Sequence, residues 1–589
     1  MIKMKSLLPF LIISISATAF ADTQDYIKRN VILIKSDVAY IDAGEKDGVI
    51  PGEPYEIFYD GSVVASGKIA WSDANISRTE PLDSTALVQL LFAEPLVAKI
   101  RLFVTQANRG GFLNIAYFIE PNLLPAEITL PDELMIGRLI HRGLITRNAD
   151  GLIEPDLCGD YEIRDLTYTF YLRPDARFHS GKPVEASDVM YSFEQLAMAP
   201  SLTNASCFVL EIKGAEEFRN GLTSEIGGIF LIDNKTLSIT LKRPFPAFED
   251  YLIGPAGYIV PKPGNISTGT NVIGTGPYRM KWRDADDIVL EPFESNAFLD
   301  SLRFVRYKSA EEAGLSFELG RLDFIQLLGE PPPRFVSRGD YSSQISVSNA
   351  YVILGVNNDR SFQAGGVLGK ALSFLLDRTS LIRVILGGSA ALPTYDISAG
   401  KDMKLDLHLP FQPDSADYYL GTLSAPPTSL NLGVDSRFPI LSKVAGYIEG
   451  QLQNKGIMVN ENKMDMRWGY KSGSFLDLDL YLTYYIPVCT RFDCRLYPLL
   501  SQKLAGHTNI LNYNDEPVQI FLENLRSDTD PARRESIAMG LAQSLLNDPP
   551  FVALYQPFLT TIYKADVSGL APNSAGYVDL RKVFIEYGR

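Results

Sequence analysis

Histidine, cysteine and tryptophan are scarce in this chain: four, four and three among 589 residues. The histidines, His141, His179, His408 and His507, are dispersed, and none stands in HExxH or another metal-ligand spacing. There is no CxxC and no GxSxG nucleophile elbow. Residues 366–371 (GVLGKA) approach a phosphate loop, but Ala364 replaces its first glycine and Ala371 its Ser or Thr, so the segment reads as a helix start. The GTG at 274–276 runs into Pro277 before it becomes GxGxxG. No basic run exists, and the net charge of −15 opposes binding to nucleic acid or anionic lipid. Acidic residues are plentiful, but no carboxylate pair stands out as a catalytic dyad. These absences predict a non-enzyme with no cofactor or metal.

Long apolar runs are missing as well, save one near the start. Lys3 and Lys5 precede an apolar stretch at 7–15, and Ala19-Phe20-Ala21 has the A-x-A shape of a cleavage site. The run is too short for an anchor, which takes about 20 apolar residues. Residues 1–21 therefore read as a signal peptide, predicting a soluble exported chain. Four cysteines in such a chain favour disulfides, and nearest-neighbour pairing gives Cys158–Cys207 and Cys489–Cys494. Free buried thiols remain open for Cys158 and Cys207.

Residues 22–108 carry short β-type runs at 38–40, 55–59 and 63–70, punctuated by Asp47-Gly48 and Asp60-Gly61. They predict a small all-β, SH3-like domain. The segment 39–48 followed by Pro51-Gly52 resembles small β-modules of bacterial envelope proteins. From 109 onward strands and helices alternate. Strands are expected at 112–119, 167–172 and 551–555. Helices are expected at 135–144, from a Ser187 cap, at 367–376 and 379–386, and after the Asp530-Pro531 cap.

Four segments in order resemble the family 5 extracellular solute-binding proteins, whose members include oligopeptide- and dipeptide-binding proteins of ABC importers. They are LNIAYFIEP at 113–121 with LIHRGLITRNADGLIEPD at 139–156; TYTFYLR at 167–173 with FHSGKP at 178–183 and ASDV at 186–189; GTGPY at 274–278; and GKALSFLLDR at 369–378. The resemblance implies a two-lobed α/β periplasmic-binding-protein fold of type II, closing about a hinge on a ligand. Lobe I would comprise 109–350, completed by 559–589, and lobe II 351–558. It further implies a periplasmic monomer that hands an oligopeptide or related nutrient to an ABC permease in the inner membrane. The alternative is a non-transport binding protein acting as an envelope sensor or assembly factor through its β-domain.

Phe118 and Glu120, with Pro121 and Asn122, match the first-lobe ligand-contact segment of peptide-binding members. The second-lobe element, an acid near a tryptophan, is altered here. Residues 480–495 contain no tryptophan, and Asp493 is their only acid, between Arg491 and Arg495. Two arginines suit a ligand carboxylate or phosphate. Asn357, Tyr485, Arg491 and Asp493 complete the candidate contacts, with strand capping open for Asn357 and core packing for Tyr485. His179 reads as a structural hydrogen-bonding residue.

Overall fold

The computed structural model describes residues 26–586 except 36–37, 45–48, 50, 60–61, 73–75, 83–96, 102–109, 148–151, 200–201, 205, 263–271, 295–296, 331–340, 360–365, 394, 397–403, 406–408, 467–476, 488–490, 506 and 573–577. The leader, both Asp-Gly turns, His408 and Cys489 lie outside the described residues. No helix among the described residues is long and apolar enough to cross a membrane. The chain divides into two compact units at Asn108/Arg109.

The first unit is a closed barrel, ordered Tyr26–Lys35, Val38–Ile41, Ser77–Thr79, Ser62–Ser72, Pro54–Tyr59, Val97–Arg101 and back to the first strand. Alternation places Ala39, Ile41, Tyr55, Ile57, Ile69, Ala98 and Ile100 inside. Closure leaves no unpaired sheet edge.

The second unit is organised by one long strand, Phe551–Lys564. Its first half pairs with Tyr351–Val356, which continues a sheet through Leu480–Tyr485, Ser429–Asp435 and Met458–Met464. Its second half pairs with Phe324–Leu328 and Tyr341–Val347, and thence with Phe112–Tyr117, Ser301–Arg306, Asp287–Pro292 and Tyr278–Arg283. The strand expected at 551–555 runs on to Lys564. Pro557 sits at the crossing between half-sheets, where Ser348 Oγ donates to its carbonyl at 2.7 Å and Gln556 Nε2 donates to Ser348 O at 2.7 Å. The unit thus has two lobes joined by the 348–350 segment and this strand.

A four-stranded antiparallel sheet, Cys158–Arg164, Thr167–Leu172, Thr236–Thr240 and Ile229–Leu231, forms a subdomain of the first lobe. Strand 167–172 matches the expectation because TYTFYL alternates cleanly, with Tyr168, Phe170 and Leu172 buried. Two helix starts differ. One helix spans Pro131–Ile140, opening on proline rather than at 135 and ending as His141 turns extended, before Gly143. The other spans Ala186–Ala197, with Glu185 rather than Ser187 as cap, because Asp188 reaches back to Glu185 N at 3.0 Å. The Pro531–Asn547 helix starts as read: Asp530 accepts from Ala532 N and Arg533 N at 2.9 and 3.0 Å. Asp530→Ala should lower the urea midpoint, because two first-turn N–H groups lose their acceptor.

GTGPY is more than a turn. A Cβ at Gly274 would lie 1.9 Å from Ile140 O, and one at Gly276 2.3 Å from Leu139 O, so only glycine lets this loop reach the helix end. His179 ties the loop down: Nδ1 accepts from Gly274 N at 3.2 Å, which leaves Nε2 to donate to Gly276 O at 3.0 Å. Burial lowers His179 to about 4, and burial together with neighbouring His179 lowers His141 to about 3. Stability from these neutral rings is full above the unfolded value of 6.5 and is lost as pH falls toward 4 and 3. Asp132 runs the other way: burial raises it to about 6, so its cost is relieved as pH falls below 6. The histidine contribution can be isolated: the urea midpoint should fall less between pH 6.5 and 5 in His179→Gln than in the unaltered chain, and an equal fall contradicts this.

Candidate functional site

The first-lobe side is the segment after strand Phe112–Tyr117. Its backbone is held by the acidic first turn of the Pro131–Ile140 helix, where carboxylates also suit the helix N-terminus. Asp132 accepts from Phe118 N and Ile119 N at 2.9 and 3.3 Å. Glu133, wholly buried, accepts from Asn122 N at 3.0 Å, Thr129 N at 2.8 Å and Leu130 N at 2.9 Å. Glu120 projects to solvent within 3.5 Å of both Arg283 and Arg306, and Arg283 also donates to Pro121 O. Phe118 turns into the first lobe, against the cluster of Tyr307, Ala313 and Phe317. Its neighbour Ile119 packs on the second-lobe cluster instead.

On the second-lobe side, paired strands bring Tyr351 opposite Tyr485. With Ile353, Arg495, Leu496, Leu499 and Phe551 they line a pocket. Arg495, from the Phe492–Leu500 helix, donates to Tyr351 Oη at 2.7 Å. Arg491 precedes that helix as its N-cap. The Asp493 side chain and Cys489 lie outside the described residues. Ile486, just past Tyr485, packs on the same cluster as Ile119, and its carbonyl accepts from Asn204 Nδ2 of the first lobe at 3.4 Å. Ile119 and Ile486 thus both flank the second-lobe cluster, and the chain just past strand Leu480–Tyr485 meets the first lobe at Asn204.

Asn357 is a correction. It lies at the opposite end of strand Tyr351–Val356 from Tyr351 and is buried. Its Nδ2 donates to Leu478 O at 2.8 Å, and its Oδ1 accepts from Asp359 N and Asn512 Nδ2. It caps a strand. The expected Cys158–Cys207 disulfide is a second correction. Both thiols are free and buried: Cys158 Sγ donates to Leu144 O at 2.9 Å, and Cys207 Sγ meets Asn204 O and Tyr251 Oη. Nearest-neighbour pairing failed because each sulfur sits in its own polar niche within the core. Cys494 is disulfide-bonded.

Sequence reasoning missed the contact that spans the lobes away from this cleft. Arg526, from the second-lobe helix Glu516–Ser527, is 2% exposed and donates to Glu211 of the first-lobe subdomain at 3.0 Å. Its guanidinium lies 4.4 Å from the Phe245 ring centroid and 3.8 Å from that of Tyr497. Arg243 donates twice to Glu211, at 2.9 and 3.1 Å, and pairs with Glu523 at 2.6 Å. Burial pushes Glu211 up, but Arg526, Arg243 and Lys242 outweigh it and hold the carboxyl at about 2. The lobes are thus clasped by an ion network centred on the buried Arg526–Glu211 pair.

A two-lobed unit of this kind is also the fold of solved binding proteins. The murein tripeptide binding protein of Escherichia coli aligns with a TM-score of 0.70 at 21% identity, over 81% of this chain and 99% of that one. The glutathione-binding protein of Pectobacterium atrosepticum is 22% identical over 458 residues, 74% of this chain and 86% of that protein. The periplasmic oligopeptide-binding protein of Escherichia coli is 31% identical over 230 residues, 37% of this chain and 42% of that protein. The model of the bacterial extracellular solute-binding proteins, family 5, middle region, matches residues 153–506. With more than half of its length matched in this way, the chain belongs to the family 5 extracellular solute-binding proteins.

Proposed function

We propose that the chain is an exported periplasmic monomer that captures an oligopeptide or related small nutrient between its lobes and presents it to an ABC permease. The observation that supports this reading is a unit of two lobes joined by a two-segment hinge, with Ile486 O, just past strand Leu480–Tyr485, bonded to Asn204 of the first lobe. Closure there excludes water and strengthens each hydrogen bond to the ligand. The ligand favours the closed member of an existing pair of states. The candidate contacts are Phe118 and Glu120 after strand Phe112–Tyr117, and Tyr485, Arg491 and Asp493 around the end of strand Leu480–Tyr485. The peptide and glutathione relatives support the ligand class, and a family of binding proteins supports a role without catalysis.

Differential scanning fluorimetry of the mature chain with pooled di- to pentapeptides tests the reading. A ligand at about 100 times its Kd stabilises by about 2.7 kcal/mol, enough to raise the melting temperature by a few degrees. A melting temperature unmoved by every pool overturns the peptide assignment.

A further inference from the structure

We propose that Tyr484 and Gly329 are positioning residues that fix the angle between the lobes. The Tyr484 hydroxyl latches the second lobe onto the end of a first-lobe strand, and Gly329 leaves the room for it. This rests on the two-lobed capture reading above and concerns the hinge, with no ligand contact invoked.

Tyr484 stands where the chain crosses between lobes. Its strand, Leu480–Tyr485, pairs it with Val352, two residues past the 348–350 crossing. Val352 pairs in turn with Tyr555, two residues before Pro557. The Tyr484 side chain is 7% exposed and fixed to its own lobe, its ring stacked on Phe438 with centroids 4.1 Å apart. The hydroxyl leaves that lobe. It donates at 3.2 Å to the carbonyl of Leu328, the last residue of first-lobe strand Phe324–Leu328. Burial holds the phenol well above its usual pKa, so the group stays a donor.

Gly329 follows at once. Its N–H donates to Phe558 O at 2.8 Å, which ties it to the first-lobe half of the long strand. Its φ of +70° lies in the left-handed region that glycine adopts without strain. A Cβ there would lie 2.8 Å from Pro557 Cβ and 2.9 Å from Tyr484 Oη. Neither neighbour yields cheaply, since Pro557 is a ring at the crossing and Tyr484 is held by its stack. A side chain at 329 is therefore a wedge between the first-lobe strand end and Tyr484 of the second lobe. Rotation about the two crossings moves the Tyr484 hydroxyl relative to Leu328 O, and a hydrogen bond weakens steeply once misaligned. The bond is thus made at one lobe angle and lost at others, so it favours that member of the pair of states.

The test uses the full mature chain without ligand, carrying spin labels on Leu222→Cys in the first lobe and Ile520→Cys in the second. These positions are 74% and 54% exposed, whereas Cys158 and Cys207 are buried. Double electron–electron resonance then reads the distance between lobes. Tyr484→Phe keeps the ring stack and removes only the donor. It should raise the ratio of longer to parental distances about 2- to 12-fold, the range for one net hydrogen bond. Gly329→Ala should raise the ratio further, and if it fails to fold, Tyr484→Phe decides alone. Variants with a lower urea midpoint but parental distances, while pooled di- to pentapeptides still shift the parent, would assign both residues to packing. That result overturns their role at the hinge and leaves capture intact. A single distance, identical in every protein and unmoved by the peptide pools, overturns the capture reading and the inference with it.

Discussion

Arg526→Met is expected to lower the free energy of unfolding by about 3 kcal/mol, the lower part of the range for breaking a buried ion pair. The lower part applies because Glu211 keeps two hydrogen bonds from Arg243. Methionine retains bulk between Phe245 and Tyr497 but removes the charge that satisfies Glu211. The same change should alter the resting state, because this residue joins one lobe to the other. Small-angle scattering should show a larger radius of gyration for the variant than for the unaltered chain. Glu211→Leu combined with Arg526→Met should recover part of the stability, since removing both partners leaves no orphaned charge. A single variant within about 0.5 kcal/mol of the parent, the usual range for surface changes, with unchanged scattering, would show that the clasp contributes little.

Glu133→Ala should cost still more. One carboxylate accepts from three backbone groups, and its loss strands Asn122 N, Thr129 N and Leu130 N together. Each unsatisfied buried donor costs about 1–3 kcal/mol, so a total of roughly 4 kcal/mol is expected once water reaches the more accessible ones. The affected loop includes the first-lobe ligand segment, so ligand affinity should fall along with the urea midpoint. Glu133→Gln keeps an acceptor and should cost less than half as much. Equal effects from Ala and Gln would mean that the negative charge, rather than the hydrogen bonds, fixes the loop.

What could be read from the sequence was what local chemistry dictates. TYTFYL alternates, Asp530-Pro531 caps a helix, and the order of four segments points to the family. The closed barrel followed from short β-type runs without helical periodicity. Long-range features were not readable in this way. Glu211 and Arg526 are 315 residues apart, and nothing local distinguishes either from an exposed surface charge. The strand expected at 551–555 runs on to Lys564 because its second half joins a different half-sheet, which no local pattern shows. Asn357 could equally have faced a ligand or closed a strand, and only Leu478 O and Asn512 decide between the two. Cys158 and Cys207 are close in sequence, but pairing depends on where each sulfur points in the fold. For the second-lobe side, the sequence put Arg491 forward as a contact and gave Arg495 only as the other arginine flanking Asp493. Burial separates them, with Arg495 enclosed and Arg491 at a helix cap.

The most direct measurement is native mass spectrometry of the protein purified from its exported compartment, followed by denaturation and identification of whatever is released. Stoichiometric release of a peptide-class molecule is the result this account predicts. A clean apo mass that stays unchanged after exposure to peptide and metabolite pools would contradict it, and would direct attention to the barrel as the working surface of an envelope sensor or assembly factor.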